Sequence, residues 1–507
     1  MKIIVARLLN FAGILGIFAS ITLSGCGVRG PLYLPRVPPA PEAPTQPEPK
    51  GQQWPAPNNA NSSQTPAAGS TKKIIKEFVM SLIPPLAGFS KKDNQWHAEE
   101  VSLSAIAEQF GTPTYVYSRR ALTEAFKAYD KACVRADGTR RAKVHFAMKS
   151  NSNLAILDLF ARLGAGFDLV SGGELSRVIA AGADPKNAVF SGVGKSRAEI
   201  AQALHAQVKC FNVESIPELD RINEVAGELG LKAPISLRVN PDVNANTHPY
   251  ISTGLKGNKF GIAYEDVIPT YQVAAKMPHC EVMGIDCHIG SQITEVSPYL
   301  DALDRVLALI EKLKNLGITI SHLDIGGGLG ISYGDETPPA ITEFANTLLD
   351  HIDAKGYGHL DVIFEPGRSL VGNAGVLLTK IEYLKPGETK NFCIVDAAMN
   401  DLMRPAMYEA YHAIVPIKDN SGASSQVYDV VGPVCESGDW LGRDRDLSVA
   451  AGDLLGILST GAYGFAMASN YNSRGRAAEV MVDGDKTYLI RERETIESLF
   501  ANEHRLP

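Results

Sequence analysis

VHFAMK (144–149) is a short apolar run that ends on a lysine, and seven similar runs follow it before residue 365. The runs are rich in β-branched residues, and most are separated by stretches of helical character. Buried strands that alternate with helices in this way predict an α/β fold, the (β/α)8 or TIM barrel. The eight runs are VHFAM (144–148), FDLV (167–170), AVFS (188–191), KCFNV (209–213), ISLRV (235–239), VMGID (282–286), HLDI (322–325) and DVIF (361–364).

Residues with reactive or binding chemistry come after several of these runs. Lys149 follows the first run, His288 the sixth, a triple glycine (326–328) the seventh and Glu365 the eighth. In a (β/α)8 barrel the active site lies at the C-terminal ends of the strands. We therefore expect these residues to meet at one mouth of the barrel.

The lysine and the glycines fit a pyridoxal phosphate site. A lysine at a strand end can form a Schiff base with the aldehyde of the cofactor, provided that its amine is partly desolvated and the neutral form is accessible. A phosphate needs backbone N–H groups that it can approach closely, and Gly326, Gly327 and Gly328 allow this because they lack Cβ. In a barrel the phosphate usually lies at the loops after strands 7 and 8, where these glycines fall.

Three further residues complete this interpretation. Ser291, in HIGSQ (288–292), can add a hydroxyl to the phosphate site. Glu365 would lie against the pyridine nitrogen and hold its proton, which makes the ring a full electron sink. His288 has a flat ring that can stack on the cofactor. Each residue alone has an ordinary structural explanation, but that explanation needs four coincidences at one end of one barrel.

Seven motifs between Trp96 and Arg493 resemble, in their order, those of bacterial diaminopimelate decarboxylases. These enzymes belong to the pyridoxal phosphate enzymes that include alanine racemase and ornithine decarboxylase. The resemblance implies decarboxylation of meso-2,6-diaminopimelate to L-lysine and CO2, the last step of lysine biosynthesis. The motifs are FAMKSN (146–151), SGGEL (171–175), HIGSQ (288–292), DIGGGLG (324–330), FEPGR (364–368), CESGD (435–439) and GAYGFAMASNYN (461–472).

The resemblance also implies a role for each residue that matches a family motif. Lys149 and Cys435 would be catalytic, and Cys435 would come from the partner subunit of a homodimer with shared active sites. Cofactor contacts would come from Lys149, His288, Ser291, Gly326, Gly327, Gly328, Glu365, Pro366, Gly367, Arg368 and Tyr463. Substrate contacts would come from Arg368, Arg404, Tyr408, Glu436 and Tyr463.

The chemistry of the substrate supports these roles. Meso-diaminopimelate carries an amino-carboxylate at each end, and the end that does not react must be held as a zwitterion. A planar arginine such as Arg404 suits the carboxylate, and Glu436 suits the ammonium group. An ornithine-type substrate would leave the arginine unpaired, which is costly in a buried pocket. Cys435 is the expected proton donor to Cα, since an ordinary thiol pKa of about 8.5 allows proton delivery near neutral pH. The alternative for Cys435 is a buried, inert thiol.

Two other functions compete with the decarboxylase. An amino-acid racemase of the same fold would tend to place an arginine on the pyridine nitrogen, and Glu365 argues against it. A non-catalytic barrel or tethering scaffold would have no reason to keep Lys149, Cys435 and Arg404 together. The site residues therefore favour the decarboxylase.

Composition agrees with a large globular enzyme. The 507 residues are 45% hydrophobic and carry a net charge of −7, which gives no indication of nucleic-acid binding. The seven cysteines are irregularly spaced and include no CxxC pair. This argues against a zinc site and a disulfide framework, so we expect no metal and reduced thiols.

The pattern changes after the barrel, which we place at residues 118–370. Runs such as LLTKIEYLK (377–385) and QVYDVVGP (426–433) predict strands, so residues 371–507 are expected to form a C-terminal β domain. Residues 81–117, which contain YVY (115–117), are expected to join that domain.

The first 80 residues have a different character. Lys2 and Arg7 precede an apolar run and LSGC (23–26), which is typical of a lipoprotein signal peptide over residues 1–25 with lipidation at Cys26. Residues 26–80 are expected to form a lipoprotein-like segment and a Pro-rich linker. CGVRGPLYLP (26–35) resembles a small outer-membrane lipoprotein family associated with lipopolysaccharide export.

This segment conflicts with the expected cytoplasmic location of the enzyme domain. Pyridoxal phosphate and diaminopimelate are cytoplasmic, whereas a processed lipoprotein is anchored to a membrane and faces the periplasm. Either two genes are fused and the enzyme is tethered through Cys26, or translation begins internally, with Met80 as a candidate start. The sequence leaves both alternatives open.

Overall fold

The computed structural model describes Pro84, residues 86–244, Thr253, residues 258–420 and residues 422–507. These residues fall in one compact unit, Pro66–Pro507. The predicted lipoprotein signal and its lipidation site Cys26 lie outside the described residues. Among the described helices, none is long and apolar enough to cross a membrane.

The described chain begins with a small antiparallel sheet. The first elements are β1 (Phe89–Lys92), β2 (Gln95–Ala98), β3 (Val101–Ser102), α1 (Leu103–Phe110), β4 (Thr114–Ser118) and α2 (Arg119–Ala132). β2 lies between β1 and β3 and pairs with both. α1 begins at a capping serine, because Ser102 Oγ accepts the N–H of Ala105. β4 does not join this sheet but a later one.

Eight parallel strands then close into a barrel, as the sequence predicts. They are β5 (Ala142–Ala147), β6 (Gly166–Leu169), β7 (Ala188–Phe190), β8 (Cys210–Val213), β9 (Ala233–Asn240), β11 (Cys280–Cys287), β12 (His322–Asp324) and β13 (Asp361–Phe364), with a short β10 (Ile262–Ala263) beside β9. β13 pairs with β5 and β8 pairs with β9, so the sheet closes on itself. Most strand residues are buried, because one face fills the barrel and the other lies under helices.

The outer layer of the barrel is helical. It consists of α3 (Leu154–Arg162), α4 (Gly172–Ala180), α5 (Arg197–Ala206), α6 (Ile216–Glu228), α7 (Val267–Ala274), α8 (Ser297–Asn315), α9 (Ile341–Ala354) and α10 (Arg368–Val371). Ser196 and Glu199 form a capping box that fixes the start of α5. Apolar residues at helical spacing, such as Leu303, Val306 and Leu307 of α8, form the buried face of each long helix.

A second sheet follows, centred on the long strand β14. Its elements are β14 (Gly375–Lys385), β15 (Asn391–Val395), α11 (Arg404–Tyr408), β16 (Ile414–Pro416), β17 (Gln426–Val431), β18 (Trp440–Leu447), β19 (Leu454–Ile457), β20 (Ala478–Asp483), β21 (Lys486–Arg491) and α12 (Ile496–Leu499). The strand order is β18-β17-β15-β14-β4-β20-β21, and β19 pairs with β14 and β16. A strand from before the barrel therefore lies inside the second sheet.

The second sheet contacts the barrel at the turn that carries Lys149. The N–H of Tyr463 donates to the Ser150 carbonyl oxygen (N···O 2.8 Å), and Asn151 Nδ2 donates to the Gly461 carbonyl oxygen (3.1 Å). A Cβ on Gly461 would lie 1.8 Å from a backbone oxygen of α10, so only glycine fits there. These bonds fix the loop of the second sheet over the C-terminal end of β5.

Candidate active site

Lys149 lies just after β5, in the 3-10 turn Met148–Ser150. Its Nζ donates to Asp168 Oδ2, on the neighbouring strand β6, at 2.6 Å. Asp168 is fully buried, and its other carboxylate oxygen has no hydrogen bond within the described part of the chain. The barrel therefore holds the lysine with a carboxylate that the sequence analysis did not identify.

The groups around Lys149 act on the pKa of its amine in opposite directions. Burial lowers the pKa of an amine, and it acts in that direction on Lys149. The carboxylate of Asp168, which accepts the hydrogen bond from Nζ, is the main influence in the opposite direction, and the pKa of Lys149 lies above its ordinary value. This carboxylate therefore favours the ammonium form of Lys149, an effect that the sequence did not indicate.

Glu365 lies at the end of β13 beside two more buried carboxyl groups, Asp286 and Asp324. One oxygen atom of each lies within 4.8 Å of the others. Burial first, and then repulsion from Asp168 and the two neighbouring aspartates, raises the pKa of Glu365 well above its ordinary value. Glu365 Oε1 is buried and has no hydrogen-bond partner among the residues that the structure describes. This oxygen can bond to a nitrogen that shares its proton.

Pro366 and Gly367 follow Glu365, and both are buried. The Pro366 carbonyl oxygen accepts the N–H of Ala147 at 3.1 Å. A Cβ on Gly367 would lie 3.1 Å from the Ala147 carbonyl oxygen, so the two strand ends approach closely here. This contact joins the ends of β13 and β5, which carry Glu365 and Lys149.

The triple glycine forms a tight turn after β12. Gly326 and Gly328 have positive φ angles of 67° and 106°, which glycine adopts without strain. The N–H of Gly326 donates to Asp324 Oδ1 (2.9 Å), and that of Gly327 donates to His288 Nδ1 (3.2 Å). The N–H of Gly328 has no hydrogen bond within the described residues. Of the three, it is the donor that remains free for an anion.

His288 follows β11 and is half-buried. Because its Nδ1 accepts the N–H of Gly327, the proton of the neutral ring lies on Nε2. Burial first, and then the positive charges of Arg238 and Lys149, lowers the pKa of His288 well below its ordinary value. The ring is therefore a neutral, oriented, flat surface.

Arg368 begins α10 and is buried against three other side chains. Its Nη2 donates to Ser291 Oγ (3.2 Å), and its Nη1 donates to the Tyr333 hydroxyl. Its guanidinium carbon lies 4.9 Å from the centre of the Tyr463 ring. The structure thus brings Ser291, Arg368 and Tyr463 together, as the sequence predicts.

Arg404 begins α11 and is also buried. Its Nη1 lies 2.8 Å from His412 Nε2, and its guanidinium carbon lies 4.5 Å from the centre of the Tyr333 ring. Burial lowers the pKa of Arg404, and the nearby charge of Arg368 adds to this. Tyr408, which is half-buried, acts electrostatically on both arginines. Arg368 and Arg404 therefore both lie over the ring of Tyr333.

Cys435 and Glu436 lie on the turn between β17 and β18, and both are exposed. The N–H of Cys435 donates to Asn472 Oδ1 (2.8 Å), and the Tyr471 hydroxyl donates to Glu436 Oε2 (2.8 Å). Within the described residues no hydrogen bond joins either of them to the barrel. They are the two predicted site residues that the single chain leaves at its surface.

Five residues of this arrangement were missed by the sequence analysis: Asp168, Asp286, Asp324, Tyr333 and His412. The three aspartates had a signal, because an acid in an apolar strand run is rare unless it faces a polar site. Tyr333 and His412 had none, since both lie in connections outside the predicted strand runs, and their contacts with the arginines appear only in the folded chain.

The residues present fit pyridoxal phosphate. The buried, unpartnered Glu365 Oε1 matches a pyridine nitrogen, and the amine of Lys149 matches an aldehyde. The oriented ring of His288 matches the face of an aromatic ring, and the free N–H of Gly328 matches a phosphate oxygen. Four different chemical features of one cofactor thus have partners at one mouth.

Comparison with known proteins gives the class of the barrel first. The family model described as "Pyridoxal-dependent decarboxylase, pyridoxal binding domain" matches residues 119–372. This range contains all eight barrel strands, Lys149 and Glu365. The cofactor predicted from the sequence, pyridoxal phosphate, is confirmed.

Individual relatives narrow the class. A diaminopimelate decarboxylase from Vibrio cholerae is 57% identical over 417 residues, 82% of this chain and 98% of the relative. One from Pseudomonas aeruginosa is 56% identical over 419 residues, 83% of this chain and 99% of the relative. The crystal structure of diaminopimelate decarboxylase from M. jannaschii in complex with L-lysine is 41% identical, with a TM-score of 0.79, and covers 83% of this chain and 98% of that one.

The chain therefore belongs to the diaminopimelate decarboxylase family, which confirms the resemblance seen in its motifs. The decarboxylase is favoured over the racemase and the non-catalytic scaffold, because these relatives are named as decarboxylases. The comparisons give no support to the predicted lipoprotein signal.

Proposed function

We propose that this protein decarboxylates meso-diaminopimelate to L-lysine and CO2, with pyridoxal phosphate at the barrel mouth. The observation that carries the proposal is the pair of Lys149 and Glu365 on joined strand ends, together with the buried cations Arg368 and Arg404, which share the Tyr333 ring. Pyridoxal phosphate supplies an electron sink for the carbon atom that loses its carboxylate.

Lys149 would hold the cofactor through its Nζ atom, and Asp168 would orient that atom. The 2.6 Å bond to Asp168 Oδ2 fixes where Nζ lies. Because Lys149 is held as an ammonium ion, Nζ must lose a proton before it bonds to carbon. Asp168 is the carboxylate within hydrogen-bond reach of that proton.

Glu365 would hold a proton at the pyridine nitrogen. Its raised pKa favours the protonated carboxyl group, so Glu365 can pass a proton to the nitrogen and stay bonded to it as a carboxylate. Asp286 and Asp324 lie in the same buried cluster and oppose the charge that would remain on Glu365. A positive charge on the ring nitrogen offsets this repulsion.

Arg368 and Arg404 would bind the distal carboxylate, which does not react. Both are buried, and the shared Tyr333 ring keeps them on the same side of the site. Glu436 would bind the distal ammonium group. A substrate without the distal amino-carboxylate would leave these charges unpaired at a cost of several kcal/mol.

We infer that the active enzyme is a homodimer in which Cys435 and Glu436 serve the site of the partner subunit. Both are exposed in the single chain and hydrogen-bond only with neighbouring loops among the described residues. A twofold interface repeats such a contribution in both directions, which gives two composite sites. Cys435 would deliver the proton to Cα after CO2 leaves.

Substrate choice tests the proposed function. The purified protein, loaded with pyridoxal phosphate, should release CO2 from meso-diaminopimelate and form L-lysine. Its kcat/KM for ornithine should be lower by about 10³-fold or more, because the arginines would stay unpaired. Equal kcat/KM values for the two substrates would contradict the assignment.

For the N-terminal segment we propose two alternatives that rest on the sequence alone, a lipidated Cys26 that tethers the enzyme or a start at Met80. N-terminal sequencing of the protein from its native cells, combined with membrane fractionation, distinguishes them. A modified N-terminus at Cys26 in the membrane fraction supports tethering, and an N-terminus at Met80 contradicts it.

A further inference from the structure

His412 is a buried imidazole that contacts one of the two substrate-binding arginines. It lies between α11 and β16 and is fully buried. Its Nδ1 lies 2.8 Å from the Leu458 carbonyl oxygen, and its Nε2 lies 2.8 Å from Arg404 Nη1. A carbonyl oxygen can only accept and a guanidinium group can only donate. The proton must therefore lie on Nδ1, and Nε2 is a neutral acceptor.

Positive charges on several elements keep this imidazole neutral. Burial first, and then Arg404, Arg368 and Arg445, lowers the pKa of His412 well below its ordinary value. Arg445, from β18, also donates Nη2 to the His412 carbonyl oxygen at 3.2 Å. The Tyr333 ring packs edge-on against the imidazole, with ring centres 5.1 Å apart. A protonated His412 would add a further cation to this group.

The neutrality of His412 matters for Arg404. A carboxylate partner orients a buried guanidinium group, but it also neutralises its charge. His412 orients the same group and leaves its charge in place, and so does the face of the Tyr333 ring. Among the described residues no carboxylate forms an ion pair with Arg404. Its charge is therefore available to a carboxylate that arrives with the substrate.

We propose that His412 is a positioning residue that aims Arg404 at the distal carboxylate and so sets the preference for ligands that carry one. The inference rests on the proposed function. Decarboxylation removes the carboxylate of the reacting carbon, so L-lysine keeps the distal carboxylate. Cadaverine has the same carbon chain and two amines but no carboxylate. His412 should therefore affect the binding of meso-diaminopimelate and L-lysine, but not that of cadaverine.

Two substitutions distinguish the role of the Nε2 acceptor of His412 from the role of its flat ring. His412→Phe keeps a flat ring and removes the acceptor, whereas His412→Gln can place an amide oxygen near the position of Nε2. In the holoenzyme, His412→Phe should raise KM for meso-diaminopimelate and Kd for L-lysine by about tenfold or more. Its kcat should stay within about threefold, since uniform binding is lost. His412→Gln should recover most of the affinity.

Direct binding and a matched control complete the measurement. Calorimetric titration of the holoenzyme with L-lysine and with cadaverine reports affinity without turnover, and Kd for cadaverine should not change. His322→Phe is the control, because His322 is also buried but lies at the start of β12, away from the mouth. If His412→Phe does not fold, His412→Asn replaces it, since this side chain can bond to Leu458 but is too short to reach Arg404.

A double-mutant cycle with Arg404→Met tests whether His412 acts through Arg404. In the Arg404→Met background, His412→Phe should change Kd for L-lysine by less than about twofold. Three results would overturn the inference: additive effects of the two substitutions on the binding free energy of L-lysine, an unchanged Kd for L-lysine in His412→Phe, or an equal rise in Kd for cadaverine. A wild-type protein that does not decarboxylate meso-diaminopimelate would overturn the proposed function instead, while the lysine titrations would still test His412.

Discussion

The barrel half and the loop half of the site differ in how far one chain builds them. The barrel half holds Lys149 and Glu365 on joined strand ends, with Asp168 bonded to the lysine. The loop half presents Cys435 and Glu436 on an exposed turn. A buried charge is stable only if the same chain places its partners around it. An exposed side chain is solvated and can find its partners on a second subunit. We infer that one chain builds the cofactor site and that dimerisation completes the machinery for proton delivery and substrate choice.

The largest expected effect comes from the barrel half. Lys149→Ala should lower kcat by at least about 10³-fold, because the cofactor loses its covalent attachment. Borohydride reduction of the wild-type holoenzyme should trap the cofactor on Lys149, as read by peptide mass spectrometry. Lys143→Ala is the control, since Lys143 is exposed on the same strand. A reducible chromophore that survives in Lys149→Ala would refute the attachment.

A variant of the loop half should be inactive by itself and regain activity when a partner subunit supplies the missing residue. Cys435→Ala should be nearly inactive, but mixing it with Lys149→Ala under conditions of subunit exchange should restore activity. Random reassortment makes half of the dimers heterodimers, and each has one intact site, so about a quarter of wild-type activity should return. Exchange is verified by native mass spectrometry. If exchange occurs and activity stays at the level of the single variants, Cys435 acts within its own chain.

Asp168→Asn tests whether the carboxylate of Asp168 raises the pKa of Lys149. Removing this carboxylate lowers the pKa of Lys149, so the neutral amine appears at lower pH. The half-maximal pH for loading the apoenzyme with pyridoxal phosphate, followed by absorbance, should move down by about one unit or more. An unchanged pH profile would show that Asp168 does not control the lysine.

The smallest effect concerns the pH dependence of stability. Burial raises the pKa of Glu174 from 4.5 to about 7. Between these values the unfolded chain releases a proton that the folded chain keeps, so stability falls as pH rises through this window. Glu174→Gln removes that loss, and its Tm relative to wild type should be a few degrees higher at pH 8 than at pH 5. Glu281→Gln, on an exposed residue, should show no such difference by scanning fluorimetry.

The barrel could be predicted because its strands are buried on both faces and appear as apolar runs. β18 was not among the predicted strands: its sequence WLGRDRDL (440–447) contains four consecutive charged residues, most of them exposed, and so is not an apolar run. The positions of Lys149 and Glu365 followed from the strand ends. The ammonium state of Lys149 did not, because it depends on Asp168, which comes close only when β5 and β6 pair.

The position of β4 has a consequence for how the chain is made. β4 pairs with β14, about 260 residues later, and with β20, about 360 residues later. During synthesis the ribosome releases the barrel while both edges of β4 still lack their neighbours, and unpaired strand edges invite wrong pairing. The second sheet can close only after nearly the whole chain has emerged, so the loop that carries Tyr463 reaches the finished barrel last.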